Sequence, residues 1–532
     1  MKKAFTISLF LVFLFALTLR LYPTVISGMP FSTDGWPLIR NTELLIQNTP
    51  IPLNSGIFDG YNNFWPANQI FSAALSLITN VSPMTSMAIG IPLVSSIAIP
   101  LFYMLVKRIT ANNKIALASA LMLATAYSFT LFTSGVTKEA FASPIIIALI
   151  LLFLQKHDLK IGILFSFASI ALSLTHHLTA FFATIILAAI TFALLINKSG
   201  VTKEPNSNKS NLLFTIIQAS ITIVYLGLFS SPNFNSTANS SNLLTVSAYT
   251  VIALTLTVCL VYTSKYSIRT RLLQFVLGSL IAVEFMLAVL HFCTQTGAYI
   301  VYALPLIIGL PIAAFALTDL HKRNHSLLVP LFWLFSVIAF MSFSLFANTA
   351  GGSDFAYRSI NFLLPPLVIL IATGLYKLYT AKTHVGLQGI AKTFSVIAVI
   401  LIVSMNAYGM YATVSAQDPS LGYVWLYNPS EYHASGWIAT NAYNQTTAGD
   451  IKVDYLLRQY FNKSVSYTNG LSYLVGDGSA PEILYIYNEM YQPGKGFAIN
   501  GVPVPLSANW TDKLSNYNIA YSNNEVTIYA RR

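Results

Sequence analysis

Charge is what this sequence has least of. Only 9% of its 532 residues are Asp, Glu, Lys or Arg, where a water-soluble domain carries about 25%. That scarcity excludes an ordinary soluble enzyme of this length. Cysteine is nearly absent as well. Cys259 and Cys293 lie in or at the end of apolar runs, which excludes a disulfide framework and reads as two small buried hydrophobes. No internal repeat of the kind that marks inverted-repeat transporters is visible.

What is present is hydrocarbon. Hydrophobic residues make up 55% of the chain and the mean hydropathy is +0.63, the composition of a protein dissolved in a bilayer. Apolar runs long enough to span the hydrocarbon number about thirteen. They fall near 4 to 22, 84 to 106, 115 to 133, 140 to 154, 161 to 175, 178 to 196, 211 to 229, 245 to 263, 272 to 292, 298 to 317, 326 to 346, 357 to 379 and 391 to 412. The first follows Lys2 and Lys3 like a signal peptide, but no small-residue cleavage site follows its run, so it reads as a retained anchor.

The formal net charge of +11 would suggest nucleic acid in a soluble protein. Here it is a topology signal. With Lys2 and Lys3 inside, alternate loops collect Lys107, Arg108 and Lys114; Lys156 and Lys160; Lys198, Lys203 and Lys209; Lys265, Arg269 and Arg271; Lys322 and Arg323; Lys377, Lys382 and Lys392. Those are eighteen of the 29 basic residues, and the alternation obeys the positive-inside rule at every turn. The expected fold is a polytopic α-helical membrane domain over 1–414, N-terminus cytoplasmic, with a long first outer loop at 23–83. Beyond residue 415 the apolar runs shorten to strand length, as in Ile483 to Tyr487 and Val526 to Tyr529, while Ser435 to Tyr443 reads as a helix. Residues 415–532 therefore form a small extracellular α/β domain.

Outside that domain, few ionisable groups are left on the outer side. They are Asp34, Arg40, Glu43, Asp59, Lys138, Glu139, Asp354 and Arg358, joined by His176, His177 and His291. Glu284 lies within a span, where a charge is costly and marks a functional candidate, seven residues from His291 on one helix face. Asp34 stands at the start of a helix, where an N-cap competes with a substrate-facing role. Thr137 and Glu139 read equally as a cap and a first-turn acid, with Lys138 the only cation of its loop. The His176-His177 pair has no H-x-x-x-H or C-x-x-C spacing beside it, so hydrogen-bonding histidines compete with metal or phosphate contact. A guanidinium at the membrane rim, as Arg358 would be, can snorkel or grip a lipid phosphate through two hydrogen bonds.

Taken in order, these segments resemble the GT-C superfamily of membrane glycosyltransferases, in particular its archaeal members. The resemblance runs through Asp34 to Gln47, Asp59-Gly60-Tyr61-Asn62-Asn63-Phe64-Trp65-Pro66, an amphipathic segment at Gln69 to Thr79, Lys138-Glu139-Ala140-Phe141, Thr175-His176-His177-Leu178-Thr179-Ala180 and Tyr357-Arg358. It implies a polyprenyl-phosphate-linked sugar donor, a glycan, lipid or protein acceptor, and membrane lipid as surroundings. Asp34 matches the catalytic or metal-holding acid, Glu139 a second acid, and Arg358 a donor-phosphate arginine, with Lys138 beside it. Arg40, Asp59, His176, His177, Glu284 and His291 would contact substrate or metal. Mg2+ or Mn2+, if used, would sit on Asp34 and Glu139. Two departures stand out: where many members show two acids in the first loop, Ser32-Thr33-Asp34 offers one, and the Trp-Trp-Asp signature of oligosaccharyltransferases is absent from the C-terminal domain. Transfer of a single sugar with inversion is therefore the expected activity. The rivals are a non-catalytic scaffold of a surface-layer or glycosylation complex and a lipid-linked-sugar transporter.

Overall fold

The computed structural model describes residues 2–48, 61–196, 207–229, 302, 304–317, 327–346, 352–381, 385–442, 444–476, 478–492, 495–499, 502–506 and 509–532. Asp59, Glu284, His291, both cysteines and the spans expected at 245 to 263 and 272 to 292 lie outside the described residues.

Helices occupy the other expected spans. In chain order they are α1 (Lys2–Ser27), α2 (Gly35–Gln47), α3 (Ala67–Thr79), α4 (Pro83–Ser96), α5 (Ala98–Thr110), α6 (Asn113–Thr125), α7 (Tyr127–Ser134), α8 (Lys138–Phe153), α9 (Leu159–Thr175), α10 (His177–Ile196), α11 (Ser207–Phe229), α12 (Leu304–Leu317), α13 (Leu328–Phe346), α14 (Gly352–Thr380) and α15 (Val385–Val414). Among the described residues six helical stretches are long and apolar enough to cross a bilayer, with α4 and α5 joined as one, and seven if α6 and α7 form one span. The chain is a membrane protein. Its outward surface is apolar where a soluble protein's would be polar. Phe10 and Leu11 of α1 are 57% and 59% exposed.

Two elements depart from a simple reading of the spans. The run at 115 to 133 is not straight, because α6 and α7 meet at Ala126 with a bend of 61°. Backbone groups freed at the break find polar partners, which is what permits a break in a low-dielectric surrounding. The Ala124 carbonyl accepts from Thr130 Oγ1 (3.0 Å) and from buried Arg20 Nη1 (3.4 Å), and Tyr127 N–H donates to Asn406 Oδ1 (2.9 Å). Helix α3 is amphipathic but inside-out. It buries Asn68, Gln69, Ser72 and Ser76 while exposing Ile70, Leu77 and Ile78, the arrangement of a helix whose outer face meets lipid rather than water.

Close backbone approach fixes the bundle where small residues permit it. A Cβ on Gly374 of α14 would lie 2.2 Å from the Ile312 carbonyl oxygen of α12, so only glycine lets these two helices meet. At the end of the bundle carrying the basic loops, Arg108 Nε donates to the Leu154 carbonyl (2.9 Å), satisfying a helix C-terminus.

The C-terminal region has its own core. Helices α16 (Pro429–Asn441), α17 (Ile451–Gln459) and α18 (Tyr467–Val475) pack with strands β1 (Thr447–Ala448), β2 (Ile483–Tyr487), β3 (Phe497–Ile499), β4 (Val502–Val504), β5 (Tyr517–Ser522) and β6 (Val526–Arg531). The main sheet runs β1-β2-β6-β5, with β1 parallel to β2 and the other pairs antiparallel; β3 and β4 form a separate hairpin. Strand β2 is buried at every position, which is why it reads as an unbroken apolar run. Helix α16 begins six residues before the expected Ser435. Asn428 and Glu431 form a capping box there with Pro429 in the first turn, a start signal stronger than the apolar pattern alone.

The two regions meet on α2. Trp36 is fully buried against Tyr427 and Tyr460, with ring centroids 5.0 and 5.6 Å away, and Tyr460 donates its hydroxyl to Glu43 Oε1 (2.9 Å). This contact holds the C-terminal region over the helix that Asp34 begins.

Candidate active site

Three segments far apart in sequence are laced together around Asp34. Phe31 is fully buried, and its carbonyl accepts from Val136 N–H (2.9 Å) in the loop before α8. Ser32 N–H donates to the Trp425 carbonyl (2.9 Å), just before the C-terminal helices. Ser32 itself has φ +94°, a conformation that a residue with a side chain adopts only when its surroundings impose it. Its hydroxyl in turn accepts from Asp34 N–H (3.2 Å).

Gly135 makes the lacing possible. A Cβ there would lie 2.9 Å from Ser32 Cβ and 3.3 Å from Thr137 Cγ2. Overpacking of this kind costs typically 1–3 kcal/mol. Gly135→Ala is expected to displace the Ser32–Asp34 turn and lower turnover about tenfold or more by misplacing a reacting group, with a modest drop in melting temperature. Unchanged turnover in this variant would show that the turn does not set Asp34's position.

Asp34 occupies the N-cap position of α2, but its carboxylate makes no capping hydrogen bond. The cap reading is thereby corrected. The carboxylate faces Arg358 instead, Oδ2 to Nη2 3.8 Å, with the two side chains 47% and 36% exposed. Thr137, by contrast, does cap α8, its Oγ1 accepting from Ala140 N–H (2.9 Å). The cap leaves Glu139 in the first turn, 6% exposed. Glu139 Oε1 accepts from Asn361 Nδ2 (2.8 Å), whereas its buried Oε2 has no hydrogen-bond partner among the described residues. Arg358 and Asp34 are both near enough to interact electrostatically with Glu139. Helix starts at α2, α8 and α14 thus bring two acids and one guanidinium to the same end of the bundle.

Lys138 turns to a neighbouring subsite. Its Nζ donates to Asn62 Oδ1 (2.7 Å) and stands over the rings of Tyr61 (4.1 Å) and Trp65 (5.1 Å). His177 packs on the same Trp65, centroids 4.5 Å apart, with its buried Nδ1 lacking a partner among the described residues. His176 is 3% exposed and pairs Nδ1 with Thr179 Oγ1 (2.7 Å), which matches a hydrogen-bonding histidine. Arg40 is half-buried on α2 and forms no ion pair among the described residues.

Residue selection by charge missed Asn361, Ser128 and Tyr455. Tyr455 of α17 reaches the electrostatic neighbourhood of both Asp34 and Arg358 from the C-terminal region. One signal was available for Asn361: it lies three residues after Arg358, and so on the same face of α14.

Among the described residues no group of three or more His, Cys, Asp or Glu comes together, so a metal cage made by protein alone is not formed there. Asp34 and Glu139 are two carboxylates, one of them facing a guanidinium, a set that Mg2+ or Mn2+ would complete with waters and substrate phosphate.

No family model and no curated protein matches the chain. Solved structures do. The archaeal oligosaccharyltransferase AglB from Archaeoglobus fulgidus, in complex with an inhibitory peptide and a dolichol-phosphate, matches with a TM-score of 0.55 at 13% identity, over 100% of this chain and 74% of that one. The Archaeoglobus fulgidus oligosaccharyltransferase in complex with Zn and sulfate matches with a TM-score of 0.55 at 13% identity, over 98% and 73%. ArnT from Cupriavidus metallidurans in the apo state gives 0.49 at 12% identity, over 98% and 97%. The likeness to the oligosaccharyltransferase shows that this chain has the GT-C fold.

Proposed function

We propose that this protein is an integral membrane glycosyltransferase that moves one sugar from a polyprenyl-phosphate donor to a glycan, lipid or protein acceptor on the outer face of the membrane. The observation that carries the reading is the meeting of Asp34, Glu139 and Arg358 at one end of a GT-C-like bundle, drawn from three helix starts more than a hundred residues apart. The basic loops at the other end support a cytoplasmic N-terminus, with residues 1–414 as the membrane domain and 415–532 as an outer domain above the site. That the neighbouring oligosaccharyltransferase was solved with a dolichol-phosphate and an inhibitory peptide supports the donor class.

In this mechanism the donor phosphate draws Arg358 away from Asp34, because the two free oxygens of the phosphodiester anion offer the guanidinium two charge-assisted hydrogen bonds. The freed Asp34 carboxylate takes the proton of the acceptor hydroxyl as its oxygen attacks the anomeric carbon. The bond from that carbon to the phosphate oxygen breaks, and the polyprenyl phosphate leaves with its charge stabilised by Arg358. One displacement inverts the anomeric centre. Mg2+ or Mn2+, when bound, would rest on Asp34 and Glu139 and would supply further positive charge to the leaving phosphate.

The test is release of polyprenyl phosphate from polyprenyl-phosphate sugars by purified protein in detergent or nanodiscs. Wild type is expected to turn the donor over, and Arg358→Gln to raise the donor KM by about tenfold or more, the loss of one charge-assisted pair. Donor hydrolysis or transfer that is absent in wild type across hexose donors overturns the enzymatic reading in favour of a scaffold or transporter.

A further inference from the structure

We infer that Asn361 is a positioning residue, held by Ser128, that sets the orientation of the Glu139 carboxylate at the site Asp34 and Arg358 form. This rests on the glycosyltransferase reading and assigns a new residue to it.

The geometry is a short relay. Ser128 Oγ donates to Asn361 Oδ1 (3.0 Å), which fixes the orientation of the amide. Asn361 Nδ2 then donates to Glu139 Oε1 (2.8 Å). An amide with both ends engaged cannot flip, so the carboxylate plane is set and Oε2 points to one place. Asn361 is 5% exposed and Glu139 6%, so water does not compete for either group.

Oε2 is the orphan of this arrangement, buried and without a hydrogen-bond partner among the described residues. An unpaired carboxylate oxygen in such a setting is expensive unless a ligand completes it. Glu139 and Asn361 border a cavity of about 30 Å³ whose wall is apolar, with Phe129, Phe132, Ile146, Ile147 and Phe362 around it.

Helix α14 carries both contacts. Arg358 faces Asp34, and one turn on Asn361 holds Glu139, so a single helix sets the two acids relative to each other. A helix is the stiffer platform for such a pair, since its side chains three residues apart share one face.

The alternative is that Asn361 merely satisfies a buried carboxylate. A double-mutant cycle on turnover separates the two. Asn361→Leu is expected to lower kcat/KM by about 10- to 100-fold by letting the Glu139 carboxylate shift at the site. In a Glu139→Ala background the same substitution should cost little more, because the oxygen that Asn361 holds is already gone. Ser128→Ala, a milder change, should lose a few-fold with the same non-additivity, and it carries the test should Asn361→Leu fail to accumulate as folded protein. Losses that multiply across the two positions overturn the assignment. Wild type that turns over no donor overturns the enzymatic reading as a whole, so the two failures are distinguishable.

Discussion

Asp34→Asn is expected to abolish sugar transfer, lowering turnover by about a thousandfold, within the 10²–10⁴ range attributed to a general base. The amide has the shape of the carboxylate but cannot take the acceptor's proton. The fold should tolerate it, because the Asp34 side chain is 47% exposed and supplies no capping bond to α2. Its ion pair among the described residues is with Arg358 at 3.8 Å, an exposed pair of the kind worth at most about 1 kcal/mol. The variant should therefore purify and melt like wild type while releasing almost no polyprenyl phosphate. Donor binding should be kept or even tightened, since Arg358 no longer has an acid to leave. Retained turnover in a folded Asp34→Asn protein would remove Asp34 from the chemistry and direct attention to Glu139.

Lys452→Met should have the largest effect on stability. Lys452 and Glu431 form an ion pair 2.5 Å apart with side chains 4% and 2% exposed, and the ammonium is ringed by Tyr423, Tyr427 and Tyr487 at 5.6, 5.2 and 5.1 Å. Removing one partner of such a pair strands the other charge, at about 3–5 kcal/mol. Glu431 cannot simply swing out to water, because its Oε2 accepts from Asn428 N–H (3.0 Å) in the capping box of α16.

The loss should depend on pH in a definite direction. Burial pushes the Glu431 carboxyl up to about 7 from its ordinary 4.5, although Lys452 pulls it down; burial likewise lifts Asp450 to about 6 from 3.8. A carboxyl whose folded value is raised binds its proton more tightly when folded. Stability from these groups is thus greatest below their unfolded values and falls as pH climbs through about 6 to 7. Without Lys452 the pull downward is gone, so Lys452→Met should be hurt most at pH 8 and least at pH 5.5. Melting of the full-length protein at both values measures this, and adding Glu431→Gln should recover much of the loss. Equal melting temperatures for wild type and Lys452→Met at pH 8 would mean that the pair contributes nothing.

This pair also bears on the site. Tyr427 donates its hydroxyl to the Lys452 carbonyl (3.0 Å) and stacks edge-on against Trp36 of α2. Loosening α17 would therefore loosen the C-terminal region where it meets the helix that begins at Asp34.

How far the site was legible in sequence differs from residue to residue. Asp34, Glu139 and Arg358 stood out because charges are rare in this chain and a bilayer makes each one costly. Lys138 stood out for the same reason, yet scarcity said nothing about its partners, and the aromatic surroundings of Tyr61 and Trp65 came only from the fold. Asn361 and Ser128 carry no charge, and polar uncharged residues are too common for selection by type to find them. Capping was readable at Thr137 and misleading at Asp34, since the same residue preference serves a cap and a substrate-facing acid.

The sequence by itself determined the class of molecule: long apolar runs and few charges leave only a bundle of membrane-crossing helices, with shorter alternating runs at the C-terminal end. It determined the bundle end to which the candidate acids belong, because hydrophobic length and basic loops alternate along the chain. Only the tertiary structure decided which groups touch. The Asp34 turn is held by backbone bonds to Val136 and Trp425, and Glu139 by an amide 222 residues away. Such contacts follow from helices packing at close range, and periodicity along one helix carries no record of its neighbours.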